Sequence, residues 1–272
     1  MITSRTNDRI KYVEKLKDKA SFRKEEGCFV VEGIRMIREV PGEMRRELFY
    51  TESALRDHPE LADWCDVTEA VSESVMEKLA DTKTPQGMVA VVSMQPSGQR
   101  YGMVENASDR NPESAVHPNG MAPLYLILDG LQDPGNVGTL IRTAEAVGAT
   151  AVLLSRSSAD PYSPKVVRST MGTIFRVPVR VCEDLPGAIE DLKKQGVVVY
   201  GTHLSGTDFY EADLTGPVAL LIGNEGKGLT DEVARTADRL LRIPMEGKVE
   251  SLNAAISAAV VGYEAYRQRR NG

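Results

Sequence analysis

The sequence predicts two α/β units in succession, the second built on a mostly parallel sheet with helices on both faces. Three observations carry the prediction. From Pro123 onward, short apolar runs alternate with segments of helical period, as in a parallel sheet covered on both sides. Ahead of residue 95 lies a smaller set of strand and helix signals. Between them, residues 95–122 are rich in Pro, Gly, Asn, Asp and Ser without a sustained apolar period, the composition of a linker. The expected organisation is residues 1–95, a polar linker at 96–122 and a second domain at 123–272, and 272 residues suit two domains.

The first unit opens on a basic stretch. Residues 1–24 hold eight cations and three anions, a net +5, although the whole chain carries −6. Asp8 to Ala20 reads as one helix with Ile10, Val13 and Leu16 on one face. Its Lys15, Lys17 and Lys19 have two readings: a solvated face, as most charge runs are, or an arm that contacts phosphate. Cys28–Glu32 reads as a strand, Gly33–Glu39 as a short helix and Leu48–Thr51 as a strand. Ser72–Ala80 reads as a Ser-capped helix and Met88–Met94 as a buried strand.

In the second unit, strands are expected at Leu124–Leu128, Ala151–Leu154, Arg176–Val181, Val197–Thr202, Val218–Ile222 and Leu240–Ile243. Helices are expected near Gly138–Val147, Pro164–Met171, Leu185–Gln195, Thr230–Ala237 and Leu252–Arg267. Ser163-Pro164 is a helix-start signature. Arg168 on that helix is open to RNA contact or to surface solubility.

Composition narrows the chemistry. An acidic total argues against a protein coated in basic charge for nucleic acid, without excluding a local patch. Cys28, Cys65 and Cys182 are far apart and odd in number, which is no disulfide framework and suits a reducing cytosol. His58, His117 and His203 are equally scattered, so no metal site is expected. The N-terminus lacks the apolar stretch of a signal peptide, and no run approaches the ~20 residues that span a bilayer. A cytoplasmic protein without membrane contact is expected.

In parallel sheets, ligands sit beyond the carboxyl ends of the strands, and three loops there carry the chemistry. Residues 129–148 (DGLQDPGNVGTLIRTAEAVG) place Asn136 at a helix start and Arg142 further along that helix. A helix start of this kind favours anions. Gly135 and Gly138 do not fit G-x-G-x-x-G, which argues against a dinucleotide-binding dehydrogenase. Residues 220–233 (LLIGNEGKGLTDEV) combine three glycines with Glu225 directly beyond a buried strand. Gly226-Lys227 is not a phosphate loop, since Gly228 stands where Ser or Thr should and Leu221 where the first glycine should. Residues 242–268 set Ser251 and Asn253 about a helix start. Leu252, Ile256, Ala259, Tyr263 and Tyr266 follow at helical spacing, as in core or subunit-interface packing.

The strings LQDPGNVGTLIRTAEAVG, LLIGNEGKGL and RIPMEGKVESLNAA, in this order, resemble the three motifs of the SpoU family of RNA ribose 2′-O-methyltransferases, within the SPOUT superfamily. The resemblance covers roughly residues 123 to 270. FVVEGIRMI and TPQGMVAVV resemble more weakly the family's N-terminal substrate-binding domain, whose fold is like that of certain ribosomal proteins. The resemblance implies a deep trefoil knot, which topology rules alone would reject. It also implies S-adenosylmethionine as methyl donor, no metal, and a homodimer that builds the active site.

Carried over residue by residue, the resemblance implies roles for Arg142, Asn136, Glu225, Ser251 and Asn253 in catalysis. Gly223, Ile243, Met245 and Leu252, with Thr202, would meet the cofactor. Arg142 is a poor base at a pKa above ~12. It is better suited to stabilising a developing alkoxide. His203 follows Thr202 with no role implied. RNA is the implied partner, ribosomal RNA ahead of transfer RNA by analogy. A non-catalytic ribosome-assembly module of the same fold is the alternative.

Overall fold

The computed structural model describes residues 1–94, 120–249 and 251–271, so most of the expected 96–122 linker lies outside the described residues. Contacts divide the chain into two compact units. One holds the N-terminal residues together with Asp160–Phe175, and the other holds the remaining C-terminal residues.

The first unit contains β1 (Cys28–Glu32), β2 (Arg45–Tyr50), β3 (Thr68–Ala70) and β4 (Met88–Ser93). Its described strands form one sheet in the order β1-β4-β2-β3. β4 runs antiparallel to both β1 and β2, and β3 is parallel to β2. β3, with no fully buried residue among TEA, carries no apolar run that would reveal it in the sequence.

The N-terminal helix departs from expectation. It is two helices, α1 (Asp8–Asp18) and α2 (Ala20–Glu26), with Lys19 between them in extended conformation. The cause is tertiary. Arg23 on α2 is 3% exposed, and its Nη1 donates to Leu16 O at 2.5 Å and Lys17 O at 2.7 Å, capping the carbonyl end of α1. Its Nε and Nη2 donate to Asp160 at 2.8 and 2.5 Å. A planar fork satisfies three acceptors at once, which an ammonium could not do in this geometry. Ile10, Val13 and Leu16 pack as expected, with Phe49, Val75, Met76 and Leu79 among their core neighbours.

Helices α3 (Ile34–Glu39), α4 (Glu52–Asp57) and α5 (Glu73–Leu79) complete the N-terminal part of this unit. Asp160–Phe175 carries α7 (Pro164–Thr170) and adds Tyr162 and Phe175 against Phe29, at ring distances of 5.0 and 6.2 Å.

The second unit contains β5 (Leu124–Leu128), β6 (Ala151–Ser155), β7 (Val179–Cys182), β8 (Val198–Asp208), β9 (Val218–Ile222) and β10 (Arg239–Arg242). Every described strand pair is parallel, in the order β10-β8-β9-β5-β6-β7. Tyr125 and Ile127 face a core closed by α8 (Leu185–Lys194) and α9 (Asp231–Ala234). Strand alternation turns Leu124, Leu126 and Leu128 to the other face. There α6 (Pro134–Ala146) and α10 (Ala254–Asn271) pack on the sheet and on one another. Successive strands leave β5 toward β7, then return on the far side of β9. β5 and β9 therefore flank the switch point, where parallel sheets hold ligands.

Of the boundaries that moved, two bear on the site. The helix expected at Gly138–Val147 begins at Pro134. Asp133 is its N-cap, accepting from Asn136 N at 2.8 Å, so PGNVG is a first helical turn. The strand expected at Val197–Thr202 runs to Asp208. Its pairing with β10 jumps from Gly201↔Leu240 to Thr207↔Leu241, so residues 202–206 bow out of the ladder.

Replacing Arg23 with Ala is expected to lower unfolding free energy by about 3 kcal/mol, because it strands two helix carbonyls and removes a buried guanidinium from its ion pair with Asp160. Urea denaturation of Arg23→Ala and Arg23→Lys checks this. Wild-type stability in both variants would contradict the capping role.

Candidate active site

The bowed segment of β8 and the loops following β9 and β10 meet at the carboxyl edge of the second sheet. They enclose a cleft of about 360 Å³, within the ~300–1,000 Å³ range of small-ligand sites. Its walls come from Thr202 to Leu204, from Ile222 to Leu229, from Leu241 to Ile243 with Met245, and from Ser251, Leu252, Ala254 and Ser257.

The loop after β9 is a tight hairpin. Asn224 and Gly228 exchange backbone hydrogen bonds of 2.9 Å in both directions, and Asn224 Oδ1 accepts from Gly226 N and Lys227 N. Gly228 sits at φ +70°, where L side chains are strained. A Cβ on Gly223 would lie 2.2 Å from Gly228 C, so only glycine allows the hairpin to close.

Two residues latch this hairpin to the loop after β5. Asn224 Nδ2 donates to Gly130 O at 2.9 Å. Asp129, 3% exposed, accepts from Thr230 N and Thr230 Oγ1, both at 2.8 Å. Sequence reasoning missed Asp129 and Asn224. Their partners lie about a hundred residues away, and the one local signal was an acid and a glycine directly beyond a strand.

The motif residues join in a hydrogen-bonded run. Asn136 Nδ2 donates to Glu225 Oε1, and Asn253 Nδ2 donates to Asn136 Oδ1 at 3.1 Å. Both ends fix the polarity of the run. An ionised carboxylate only accepts, so Asn136 must turn its amide nitrogen to Glu225 and its oxygen to Asn253. Asn253 Oδ1 accepts from Ala255 N at 3.0 Å and Ile256 N at 3.4 Å, capping α10. Its nitrogen is therefore the group left for Asn136. One amide from each of two helix starts and one carboxylate from the hairpin thus hold three distant segments in register.

The structure gathers most of the residues expected at the site. Thr202, Gly223, Glu225, Ile243, Met245, Ser251 and Leu252 line the cleft. Asn136 and Asn253 reach it through Glu225. Thr202 Oγ1 donates to Leu221 O at 3.0 Å, anchoring the start of the bowed segment. Arg142 is exposed on α6 and lies outside the cleft lining of its own chain.

The expected RNA-facing cations of the first unit divide. Lys15 and Lys19 are exposed, Lys15 with its ammonium 5.6 Å from the Phe22 ring centroid. Lys17 is committed inside the unit, donating to Lys78 O and Ala80 O at 3.0 and 2.7 Å, and burial pulls its ammonium below the usual lysine range. Arg168 lies 2.6 Å from Asp81, an ionic contact off the line of a hydrogen bond, with Glu32 at 4.0 Å. Both of these charges are engaged within their own unit. Among the described residues, no group of three or more His, Cys, Asp or Glu is placed to hold a metal ion.

A parallel sheet with a glycine hairpin, and a ligand-sized cleft beyond the carboxyl ends of β8, β9 and β10, match solved methyltransferases across nearly the whole chain. The AdoMet complex of the SpoU methyltransferase AviRb from Streptomyces viridochromogenes is 30% identical, with a TM-score of 0.79 over 98% of this chain and 100% of that one. The AdoMet-bound rRNA methyltransferase from Sinorhizobium meliloti is 32% identical, with a TM-score of 0.76 over 98% and 97%. The fold and site thus define an S-adenosylmethionine-dependent RNA methyltransferase. Residues 123–263 match the SpoU rRNA Methylase family, and the chain belongs to that family. Residues 7–90 match the MRM3-like substrate binding domain. In sequence the chain is 34% identical to the 23S rRNA (guanosine(2553)-2′-O)-methyltransferase RlmP of Bacillus subtilis, over 96% of this chain and 97% of that protein.

Asn253→Asp keeps the acceptor that caps α10 but loses the donor that Asn136 needs. It is expected to unfold within about 0.5 kcal/mol of wild type, yet to lose methyl transfer by about tenfold, the equivalent of one hydrogen bond. Asn253→Ala should lose about 1 kcal/mol of stability as well. Full activity in both variants would show the run to be idle.

Proposed function

We propose that this protein transfers the methyl group of S-adenosylmethionine to a ribose 2′-hydroxyl of ribosomal RNA. The observation that carries the reading is the run Asn253–Asn136–Glu225 at the edge of a ligand-sized cleft. The relative RlmP is a 23S rRNA 2′-O-methyltransferase, which favours ribosomal RNA over transfer RNA. This reading places the protein in the cytoplasm with that RNA. Among the described residues no helix is long and apolar enough to cross a membrane.

The cleft suits the cofactor. Its apolar side chains, Ile222, Leu241, Ile243, Met245 and Leu252, fit an adenine, and the glycine hairpin brings backbone groups close. Thr202, Gly223, Ile243, Met245 and Leu252 are the residues that would hold it. When bound, S-adenosylmethionine supplies a methyl on a sulfonium that is its own leaving group, so the transfer requires no metal. The chain's task is alignment of the hydroxyl and management of its proton. Asn136 and Glu225 hold the loops in position. Ser251, in the cleft lining, orients the ribose, and Asn253 fixes Asn136 behind it.

Arg142 supplies positive charge beside the 2′-oxygen as that oxygen bonds to the methyl, the S–CH3 bond breaks and the hydroxyl proton passes to solvent water. It lies outside its own cleft, and its side chain has no ion pair or hydrogen bond among the described residues. It therefore serves the cleft of a second copy, and the working form is a homodimer. The residues expected to pack along α10, Leu252, Ile256, Ala259, Tyr263 and Tyr266, are not the ones its own chain buries. Ala258, Val261 and Ala265 are fully buried, whereas Ile256 and Tyr263 remain 54% and 51% exposed, an apolar face for a subunit partner. The family also leads us to propose that the loops after β9 and β10 are threaded as a deep trefoil knot. The N-terminal unit, residues 1–95, binds substrate RNA, with Lys15 and Lys19 as its phosphate contacts, and residues 96–122 link it to the catalytic domain.

Arg142→Ala is expected to lower methyl transfer to ribosomal RNA by at least about 100-fold. Calorimetric affinity for S-adenosylmethionine and the unfolding transition should stay at wild-type values. Undiminished turnover in this variant would remove Arg142 from the mechanism.

A further inference from the structure

The mouth of the cleft carries cations that the motif residues do not account for. Lys227, at the tip of the hairpin, and Arg242, at the end of β10, both line the cleft and are both exposed. Neither side chain has an ion pair or hydrogen bond among the described residues. Asp208 stands opposite Arg242 in the ladder, but its carboxylate accepts from Tyr210 N at 3.0 Å and caps the following turn.

His203 joins them from the segment that bows out of β8. Its Nδ1 accepts from Ser205 N at 3.1 Å. A ring nitrogen that accepts a backbone N–H carries no proton of its own, so the neutral ring holds its proton on Nε2. His203 therefore offers a donor to the cleft and is unsuited to act there as a base through Nε2. Three segments thus bring three donors, two of them charged, to one rim. Glu225, the acid in the lining, is engaged by Asn136.

Such a rim suits an anion with several acceptor oxygens. S-adenosylmethionine carries a sulfonium, an ammonium and one carboxylate, a net positive charge, and gains little from a rim of cations. A ribose entering the cleft brings a phosphodiester on the carbon next to its 2′-hydroxyl. We propose that Lys227, Arg242 and His203 form a phosphate grip that seats the RNA backbone beside the target ribose. The grip is separate from Arg142. The inference rests on the methyltransferase reading and names the part of the site that holds the substrate.

The test uses the full-length protein and a 23S rRNA transcript made in vitro. RNA affinity is measured by filter binding from about 50 to about 200 mM KCl, and S-adenosylmethionine affinity by calorimetry. For Lys227→Gln combined with Arg242→Gln, RNA affinity at low salt should fall at least about tenfold. The slope of log affinity against log salt should shrink by about 0.7 for each lost contact to single-stranded RNA. His203→Phe, which removes the neutral donor, should weaken RNA binding with little change in slope. Cofactor affinity should stay within about twofold in every variant. An unchanged RNA affinity and slope in the double variant overturns the grip. So does a loss of cofactor affinity with RNA binding intact, which would assign the cations to the cofactor carboxylate. Failure of the methyltransferase reading itself looks different: the wild-type protein would then bind no S-adenosylmethionine at all.

Discussion

The second unit depends on holding three loops in register at one edge of its sheet. Glu225, Asn136 and Asn253 do this with two hydrogen bonds. The polarity is set from outside the run, by a carboxylate that only accepts and by helix N–H groups that only donate. Each amide therefore has one orientation. A bond of this kind contributes roughly 1–3 kcal/mol at most, which is small against a domain's ~5–15 kcal/mol. Its value lies in geometry. Positional errors of about an ångström are enough to cost a reaction of this type two orders of magnitude.

The rest of the cleft follows from that constraint. The hairpin that lies beside the loop after β5 can close only because Gly223 has no Cβ to meet Gly228. It stays there because buried Asp129 holds Thr230 while Asn224 holds Gly130. The bowed segment of β8 is free to line the cleft because its ladder with β10 skips residues 202–206. The strands beneath and the latched loops above fix the shape of the site.

Much of the fold was legible because buried parallel strands announce themselves as short apolar runs. Leu124–Leu128 and Val218–Ile222 have the bounds the sequence predicts. What escaped was set by tertiary contacts or by masked local signals. The break at Lys19 is imposed by Arg23, which the helical period of residues 8–20 gave no reason to expect to be buried. The early start of α6 was hidden by glycines that resemble a turn but follow an Asp cap and a first-position Pro. The polar end of β8 lacks alternation altogether. The site divided in the same way. Motif residues could be named from the sequence, whereas the pairing of Asn136 with Glu225 spans 89 residues and that of Asp129 with Thr230 spans 101. Residue type alone could not show that Arg142 lies outside its own cleft or that Lys17 and Arg168 are committed internally.

The most direct measurement supplies the protein with ribosomal RNA and methyl-labelled S-adenosylmethionine, digests the product to nucleosides and locates the label by mass spectrometry. The account predicts that the label resides on the ribose 2′-oxygen of a single nucleotide. Label on a base, or an RNA that remains unlabelled while the cofactor is bound, would contradict it.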